Sequence, residues 1–206
     1  MVDLSHRLSG TVHPYPGQLA PTFDTVTTVE SHGYMVTEVH SRTHVATHVD
    51  TPAHFIKDGR TTFEIGLDEW MGPAWVSRVD TSATPAIEPD MLPLPSSPVE
   101  VLLVATGHSA SWGTDQYYEN APYLTSAAAE AIRDAGVRLL GLELPSPDRV
   151  GDTSEVCHHI LLGADMLIVE NLTNLDQLTC STPWFFAVPL LLGGGDGGFC
   201  RAFAVC

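Results

Sequence analysis

Basic residues are scarce in this chain of 206 residues: nine Lys and Arg stand against 25 Asp and Glu, which gives a formal net charge of −16. Nucleic acid and anionic membranes are therefore not expected as partners. Long apolar runs are missing as well, because the longest, near 188–192, is too short to cross a bilayer. Residues 1–11 are polar and do not resemble a secretory signal. We therefore expect a cytoplasmic protein.

Cysteine is also rare, with four residues in the chain and no CxxC pair. In a cytoplasmic protein this pattern predicts that Cys157, Cys180, Cys200 and Cys206 are all reduced. Cys157 lies beside a histidine, which leaves a thiol nucleophile open, but an inert buried thiol is the favoured interpretation. A serine nucleophile is not supported, because the sequence has no GxSxG turn.

What the sequence does contain is a dense run of nitrogen and carboxylate donors between residues 43 and 55. Val, Thr and Pro residues separate these donors, and they oppose a helix. Such a concentration is typical of a site for a divalent metal ion. The alternative is a polar strand that faces solvent and carries its histidines by chance. The donors in question are His44, His48, Asp50 and His54.

Strand geometry decides how these donors could converge. On a strand, His48 and Asp50 share a face and stand about 6.5 Å apart, whereas His44 would lie about 13 Å from His48. That second distance is too long for one ion. We therefore predict a kink or tight loop over 45–47 that folds His44 back, with a proline ending the strand and redirecting His54.

Apolar periodicity predicts the central elements. Alternating β-branched residues over 23–30 and 34–40 indicate a hairpin, whose second arm should hold the histidine run on a rigid sheet. An apolar run over 99–107, an alanine-rich segment over 126–135 and a second apolar run over 137–144 predict strand, helix and strand. That order implies a crossover connection and a partly parallel sheet.

The remaining segments are connections and a tail. Residues 81–98 are rich in Pro, Ser and Ala and predict an extended surface connection. The tail predicts two strands, 184–192 and 199–205, joined as a hairpin by the flexible glycine-rich loop 193–198. A phosphate-binding loop is disfavoured there, because a helix would have to follow it. The chain length suits one core, so we predict a single domain over 1–206.

The segment from His44 to Phe55 resembles the HxGTHxDxPxH signature of the metal-dependent cyclase family, which includes bacterial kynurenine formamidases and isatin hydrolases. Ala46 stands where the family usually has glycine. The fold that this resemblance implies is α/β, with a mixed sheet curled into a barrel-like core and helices outside, of the swivelling β/β/α type. The resemblance extends from Asp3 to Val205.

The same resemblance implies a fuller metal site. Segments 155–163 and 166–172 resemble the family's HHxLL and IxE motifs, whose first histidine and glutamate are ligands, and these map onto His158 and Glu170. His159 is the competing histidine, ranked second because only His158 aligns with the motif. The implied ligands are therefore His44, His48, Asp50, His158 and Glu170.

The donor set and the resemblance together predict an activity. Imidazole and carboxylate ligands without thiolate suit Zn²⁺ or Mn²⁺, as one or two ions per chain. A bound metal acidifies water, and His54 is then free to act as the general acid/base. The predicted reaction is hydrolysis of a C–N amide bond in a small aromatic amide such as N-formylkynurenine.

Alternative activities remain open at this stage. The same site could hydrolyse a cyclic imide, a lactam or a lactone, or catalyse ring closure or dehydration, and a non-enzymatic metal-binding protein is a third possibility. The loop 13–17 resembles the family loop whose aromatic residue packs over the substrate, so Tyr15 is predicted to contact the substrate. The alternative for Tyr15 is an aromatic side chain that only covers the core. The resemblance also implies a homodimer or higher homo-oligomer.

Overall fold

Strands outnumber helices in the part of the chain that this computed structural model describes, residues 1–95 and 97–206. The helices are α1 (Val29–His32), α2 (Gln116–Glu119), α3 (Ser126–Asp134) and α4 (Val156–Gly163). The strands are β1 (Val2–Asp3), β2 (Thr22–Thr27), β3 (Val36–His40), β4 (His48–Asp50), β5 (Met71–Arg78), β6 (Ala86–Ile87), β7 (Val101–Ala105), β8 (Tyr123–Leu124), β9 (Leu139–Leu142), β10 (Leu167–Glu170), β11 (Trp184–Phe186), β12 (Gly197–Phe199) and β13 (Phe203–Val205).

Nine of these strands form one mixed sheet in the order β1-β13-β11-β5-β7-β9-β10-β4-β12. The central pairs β5/β7, β7/β9 and β9/β10 are parallel, and the flanking pairs are antiparallel. Helix α3 connects the parallel strands β7 and β9, so the predicted crossover is confirmed. The sheet curls into a half-barrel, which confirms the predicted α/β class.

The central strands are buried on both faces, as their continuous apolar sequences predict. In β7, Val101 and Leu103 join one apolar core, while Leu102 and Val104 join a second core on the opposite face. Helices α3 and α4 contribute their apolar side chains to that second core. The face that carries α3 and α4, here called the helix face, is the one on which the donor cluster lies.

Local chemistry explains the bounds of helix α3. The Thr125 side chain accepts a hydrogen bond from the backbone N–H of Ala128, which caps the first turn. Gly136, at φ 81°, turns the chain just after the last turn, where a residue with a side chain would be strained. The helix and the strand that follows it therefore lie within the ranges predicted from the sequence.

The predicted hairpin forms, but it does not hold the histidine run. Strands β2 and β3 pair only with each other, as a two-stranded arm outside the main sheet. The donors lie instead on β4, which is paired on both sides, with β10 and β12. The expectation that the arm anchors the donors is therefore wrong, because residues 41–47 separate β3 from the main sheet.

The tail also departs from the predicted simple hairpin. Strands β11 and β13 do pair antiparallel, but residues 197–199, predicted as part of the loop and the start of the second strand, form β12 at the far edge of the sheet. A side chain at Gly197 would approach the carbonyl oxygen of Val49 to 2.4 Å and Cε1 of His44 to 2.6 Å. Glycine is therefore what lets this strand lie against β4 and the donors.

The prediction of four reduced cysteines is wrong for two of them. Cys180 and Cys206 form a disulfide across a sequence separation of 26 residues, with their Cα atoms 5.8 Å apart. Antiparallel pairing of β11 with β13, which matches Trp184 with Val205, brings the two cysteines together. Sequence spacing could not reveal this contact, because it depends on strand pairing.

Two further predictions concern surface segments and membrane spans. The connection 81–98 runs through the short strand β6 and a 3₁₀ turn at Pro89–Met91, and Ser96 lies outside the described residues. Among the helices that the structure describes, none has the length and apolar character needed to cross a bilayer.

Candidate metal centre

Strand register places three of the predicted ligands on one face of the sheet. Glu170 of β10 lies opposite His48 of β4, and Ile168 lies opposite Asp50. Because side chains alternate along a strand, all four point to the helix face, where Ile168 packs among α3 and α4. His158 of α4 meets them from that side.

The predicted kink is present between His44 and His48. Ala46 has φ 54°, a left-handed conformation, and the bend brings the rings of His44 and His48 to a centroid distance of 5.1 Å. The Thr47 hydroxyl donates to the carbonyl oxygen of Asn171 at 2.6 Å, which ties the bend to the residue after Glu170. An alanine in this conformation costs about 1–2 kcal/mol relative to glycine.

The hydrogen bonding of the two ring nitrogens of His48 shows whether a metal ion fits the cluster. Its Nδ1 lies 2.8 Å from the carbonyl oxygen of Ala46, which only accepts hydrogen bonds, so Nδ1 carries the ring proton and donates. In the neutral ring, Nε2 then carries no proton and presents its lone pair. This buried atom has no hydrogen-bond partner among the described residues, yet it lies 3.3 Å from Asp50 Oδ1 and 3.4 Å from Glu170 Oε2. A cation among these three atoms would stabilise them.

His158 is oriented in the same way by a different residue. Its Nδ1 lies 2.7 Å from Oδ2 of Asp148, and Asp148 also accepts hydrogen bonds from the backbone N–H groups of Cys157 and His158. The Nε2 atom of His158 therefore faces Glu170 Oε1 at 3.4 Å. Burial lowers the pKa of His158, but the hydrogen bonds to Asp148, Asp50 and Glu170 outweigh it and raise the pKa well above its usual value.

The two buried carboxylates affect one another. Burial raises the pKa of Glu170, and the negative charge of Asp50 raises it further. Burial also acts to raise the pKa of Asp50, but the surrounding imidazoles, His48 first among them, hold it well below its usual value. Two carboxylates in one buried site repel each other when both are ionised, and a divalent ion would remove that repulsion.

His44 lies at the rim of the cluster with an acid on each ring nitrogen. Its Nδ1 is 2.7 Å from Asp50 Oδ1, and its Nε2 is 3.0 Å from Asp196 Oδ2. Burial lowers the pKa of His44, but these two acids outweigh it and raise the pKa to about 9. Without a metal, His44 is therefore a cation that lies between two anions.

His54 differs from His44 although their rings stack at a centroid distance of 3.7 Å. The proline-led 3₁₀ turn Pro52–His54 redirects it, as predicted. Its Nδ1 is 3.6 Å from Asp196 Oδ2, longer than a hydrogen bond. Burial lowers the pKa of His54 to about 4, so the ring is neutral near pH 7 and able to accept a proton.

Single donor atoms of these residues come within 4.8 Å of one another in three groups. Asp50 belongs to two of the groups, so its carboxylate could help to hold an ion in either of them. Together with the unpartnered Nε2 of His48, the donor chemistry fits one or two divalent ions. The groups are His44/His48/Asp50, Asp50/His158/Glu170 and His44/His54/Asp196.

Comparison with known proteins identifies the family of this chain. The Cyclase family model matches residues 2–149. The chain belongs to the cyclase family. It is 30% identical to a kynurenine formamidase of Geobacillus thermodenitrificans and 29% identical to one of Bacillus cytotoxicus, each over 98% of this chain and 95% of the relative.

One solved structure has the same fold as this chain. It is an isatin hydrolase bound to the product analogue thioisatinate, with a TM-score of 0.89 and 19% sequence identity. The superposition covers 100% of this chain and 91% of that one. Identity at this level speaks for the fold alone.

Tyr15 lines the cavity, of about 360 Å³, that opens onto the cluster. Its hydroxyl accepts a hydrogen bond from the backbone N–H of Gly151 at 3.1 Å, and its ring meets that of Tyr118 edge to face. His159 is exposed and outside the three groups, while Cys157 is buried, where desolvation raises its pKa. Neither offers a second nucleophile or ligand beside the cluster.

Sequence reasoning gave no role to two acids that contact the predicted residues. Asp148 orients His158, and it lies in the Pro-Ser-Pro-Asp segment whose likeness to a family motif was the available signal. Asp196 contacts His44 and also accepts from the Thr43 hydroxyl at 3.0 Å. The only hint of Asp196 in the sequence was that it is the single acid in a glycine-rich loop, and its spacing did not connect it to the histidines.

Proposed function

We propose that this protein is a metal-dependent hydrolase that cleaves the C–N amide bond of a small aromatic amide, such as the arylformamide N-formylkynurenine. The observation that carries the proposal is the unpartnered Nε2 of His48, buried against Asp50 and Glu170 in a cavity that the neutral ring of His54 also lines. Relatives named kynurenine formamidase support this chemistry.

The metal would be Zn²⁺ or Mn²⁺, as one or two ions. His44, His48 and Asp50 would hold one, and Asp50, His158 and Glu170 the other. When bound, such an ion polarises a carbonyl group and lowers the pKa of water towards neutrality. Asp148 and the Ala46 carbonyl would keep the two imidazole Nε2 atoms aimed inward.

His54 would move the proton in this reaction. Its low pKa leaves the ring unprotonated near pH 7, so it can accept a proton from the attacking water and return it to the leaving nitrogen. Stacking on His44 fixes the plane of the ring. Tyr15, on the cavity wall, would contact the aromatic part of the substrate and exclude water.

A cyclic imide, lactam or lactone is the second candidate substrate. The observation in its favour is the modest cavity above the cluster, about 360 Å³, which suits a compact bicyclic molecule. The same residues would take the same parts, since ring opening of a lactam also breaks a C–N bond.

The test is metal content by elemental analysis of protein purified without added metal, with hydrolysis of N-formylkynurenine and isatin measured before and after chelation. Bound metal and chelator-sensitive cleavage of N-formylkynurenine would support the formamidase, and faster cleavage of isatin would favour the second candidate. Bound metal without cleavage of either would contradict amide hydrolysis and leave a ring-closing enzyme or a metal-binding protein. Protein that binds no metal would contradict the whole proposal.

A homodimer or higher homo-oligomer belongs to the same proposal. The β2–β3 arm exposes many large apolar side chains, and a surface of that kind is typical of a protein interface. Sedimentation of the native protein and of a Met35→Glu variant tests this, because a charge on the arm should dissociate the assembly. The exposed residues are Phe23, Val26, Val29, Tyr34, Met35, Val36 and Val39.

A cytoplasmic location stays a prediction from the sequence, and the Cys180–Cys206 disulfide weighs against it, because disulfides are rare in reducing compartments. Thiol labelling in intact cells followed by fractionation tests it directly. Two labelled thiols and two protected ones in the cytoplasmic fraction would show that the disulfide persists there.

A further inference from the structure

A second cavity of about 640 Å³ lies beside the one above the donor cluster. Its wall comes from connecting segments, from helix α2 and from the short strand β8, and it mixes polar and apolar residues. Its walls are Pro16, residues 81–85, His108, residues 118–123, Arg149 and Val150.

The two cavities are neighbours that share part of their walls. Tyr118 lines both of them, and Tyr15 and Pro16, consecutive in the chain, line the first and the second cavity respectively. The rings of Tyr15 and Tyr118 meet edge to face at 5.7 Å. Tyr118 is therefore part of the wall between the two cavities, with Tyr15 beside it.

Arg149 gives the second cavity an exposed cation that contacts no carboxylate of the described residues, although Asp152 lies near enough for the Arg149 charge to lower its pKa. Among the residues that the structure describes, its side chain forms no ion pair and no hydrogen bond, although 25 acidic residues outnumber nine basic ones. Other arginines, such as Arg60, Arg138 and Arg201, contact carboxylates at 2.6–3.1 Å. A planar guanidinium in a cavity wall matches the two oxygens of a carboxylate.

The cationic groups that line the first cavity are the imidazoles of His44 and His158, which are predicted metal ligands and are therefore not free to bind a substrate carboxylate. Glu155 and Glu170 also line this cavity, and no Lys or Arg does. A substrate carboxylate is therefore disfavoured there, except at a bound metal, and is favoured beside Arg149. The second cavity also contains Glu119, which would accept an ammonium group on the same molecule.

We propose that the second cavity is a subsite for a side arm of the substrate, with Arg149 binding a carboxylate at the end of that arm. This rests on the proposed amide hydrolysis and narrows its substrate to an aromatic amide with an anionic or zwitterionic arm. The amide would occupy the first cavity, and the arm would pass the edge of Tyr118. A compact cyclic amide would leave the second cavity unused.

The test compares metal-loaded wild type with Arg149→Gln, using two formamides that differ in the arm. N-formyl-L-kynurenine carries an aminocarboxylate arm, and formanilide has none. Arg133→Gln is the matched control, because it removes the same charge from the exposed surface of α3, where Arg133 pairs with Asp134. Binding of L-kynurenine, followed by calorimetry, gives a readout that does not depend on turnover.

Arg149→Gln should raise KM for N-formyl-L-kynurenine by about tenfold or more, leave kcat and the hydrolysis of formanilide unchanged, and weaken L-kynurenine binding by a similar factor. Arg133→Gln should match wild type. Equal KM and equal L-kynurenine affinity in all three proteins would overturn the subsite and leave amide hydrolysis intact.

If the wild type hydrolyses neither formamide, the proposed function fails, and L-kynurenine binding alone judges the subsite. About tenfold weaker binding in Arg149→Gln than in Arg133→Gln would support the subsite. No difference between the variants, or no binding to wild type at millimolar concentration, would overturn it.

Discussion

The donor cluster has a floor and a rim that are built differently. The floor, which comprises His48, Asp50, His158 and Glu170, is buried, and its strand residues are held by β4/β10 pairing. The rim, which comprises His44, His54 and Asp196, is partly exposed and comes from a kink, a 3₁₀ turn and a loop. The floor is thus suited to hold an ion, and the rim supplies both a further proposed ligand, His44, and the residue proposed to move the proton, His54.

Within the rim, two stacked histidines show how neighbours assign a role. His44 has an acid on each nitrogen and a pKa of about 9, whereas His54 lacks such hydrogen bonds and has a pKa of about 4. The rings are only 3.7 Å apart. Hydrogen-bonding partners, and not depth, separate the two, because burial acts in the same direction on both.

Removing the rim base should have the largest effect on turnover. His54→Asn should lower kcat by a factor of about 10²–10⁴ while the metal content stays at the wild-type level, since His54 is proposed to move the proton and not to be a required ligand. Steady-state kinetics with elemental analysis measures both. The control is His159→Asn, at an exposed position. A loss of metal in His54→Asn would show that His54 is a required ligand, which contradicts its proposed role.

Removing a floor carboxylate should act on the metal first. Glu170→Gln should weaken metal affinity by about a hundredfold or more, with activity falling in parallel, because the neutral amide cannot balance the ion's charge. Calorimetric titration measures the affinity. Glu155→Gln, in the same cavity but outside the three donor groups, should keep wild-type affinity. A fully metallated and active Glu170→Gln variant contradicts the assignment.

Metal affinity should rise with pH because of the rim cation. The pKa of His44 without metal is raised to about 9, so below pH 9 the ring must release a proton before it can bind an ion. Apparent affinity should therefore increase by up to about tenfold per pH unit between pH 7 and 9, and then level off. Asp196→Asn removes one acid and lowers that pKa, which should flatten the slope. An unchanged slope would contradict the role of Asp196.

The smallest effect concerns the kink that joins rim to floor. Ala46→Gly should raise the free energy of unfolding of the metal-free protein by about 0.5–1 kcal/mol, because glycine removes the steric cost at φ 54° but loses part of that gain to its greater freedom in the unfolded chain. Urea denaturation measures this. Ala135→Gly, at φ −72°, is the control and should destabilise instead. Equal changes in both variants would contradict a strained Ala46.

The amino-acid sequence by itself determined the donors, the kink and the central strands. Six chemically distinct positions in order between His44 and His54 carried the resemblance, and the apolar run around 101–105 specified a strand buried on both faces. These features are local, because each depends on residue type and on spacing along one segment.

Only the tertiary structure decided what joins distant segments. Pairing of β12 with β4 brings Asp196 to His44 across 152 positions, and pairing of β11 with β13 closes the Cys180–Cys206 disulfide. The arrangement of loops around Arg149 likewise creates a second cavity that no spacing could reveal. Register between strands far apart in the chain depends on the whole sheet, so no single segment of sequence specifies it.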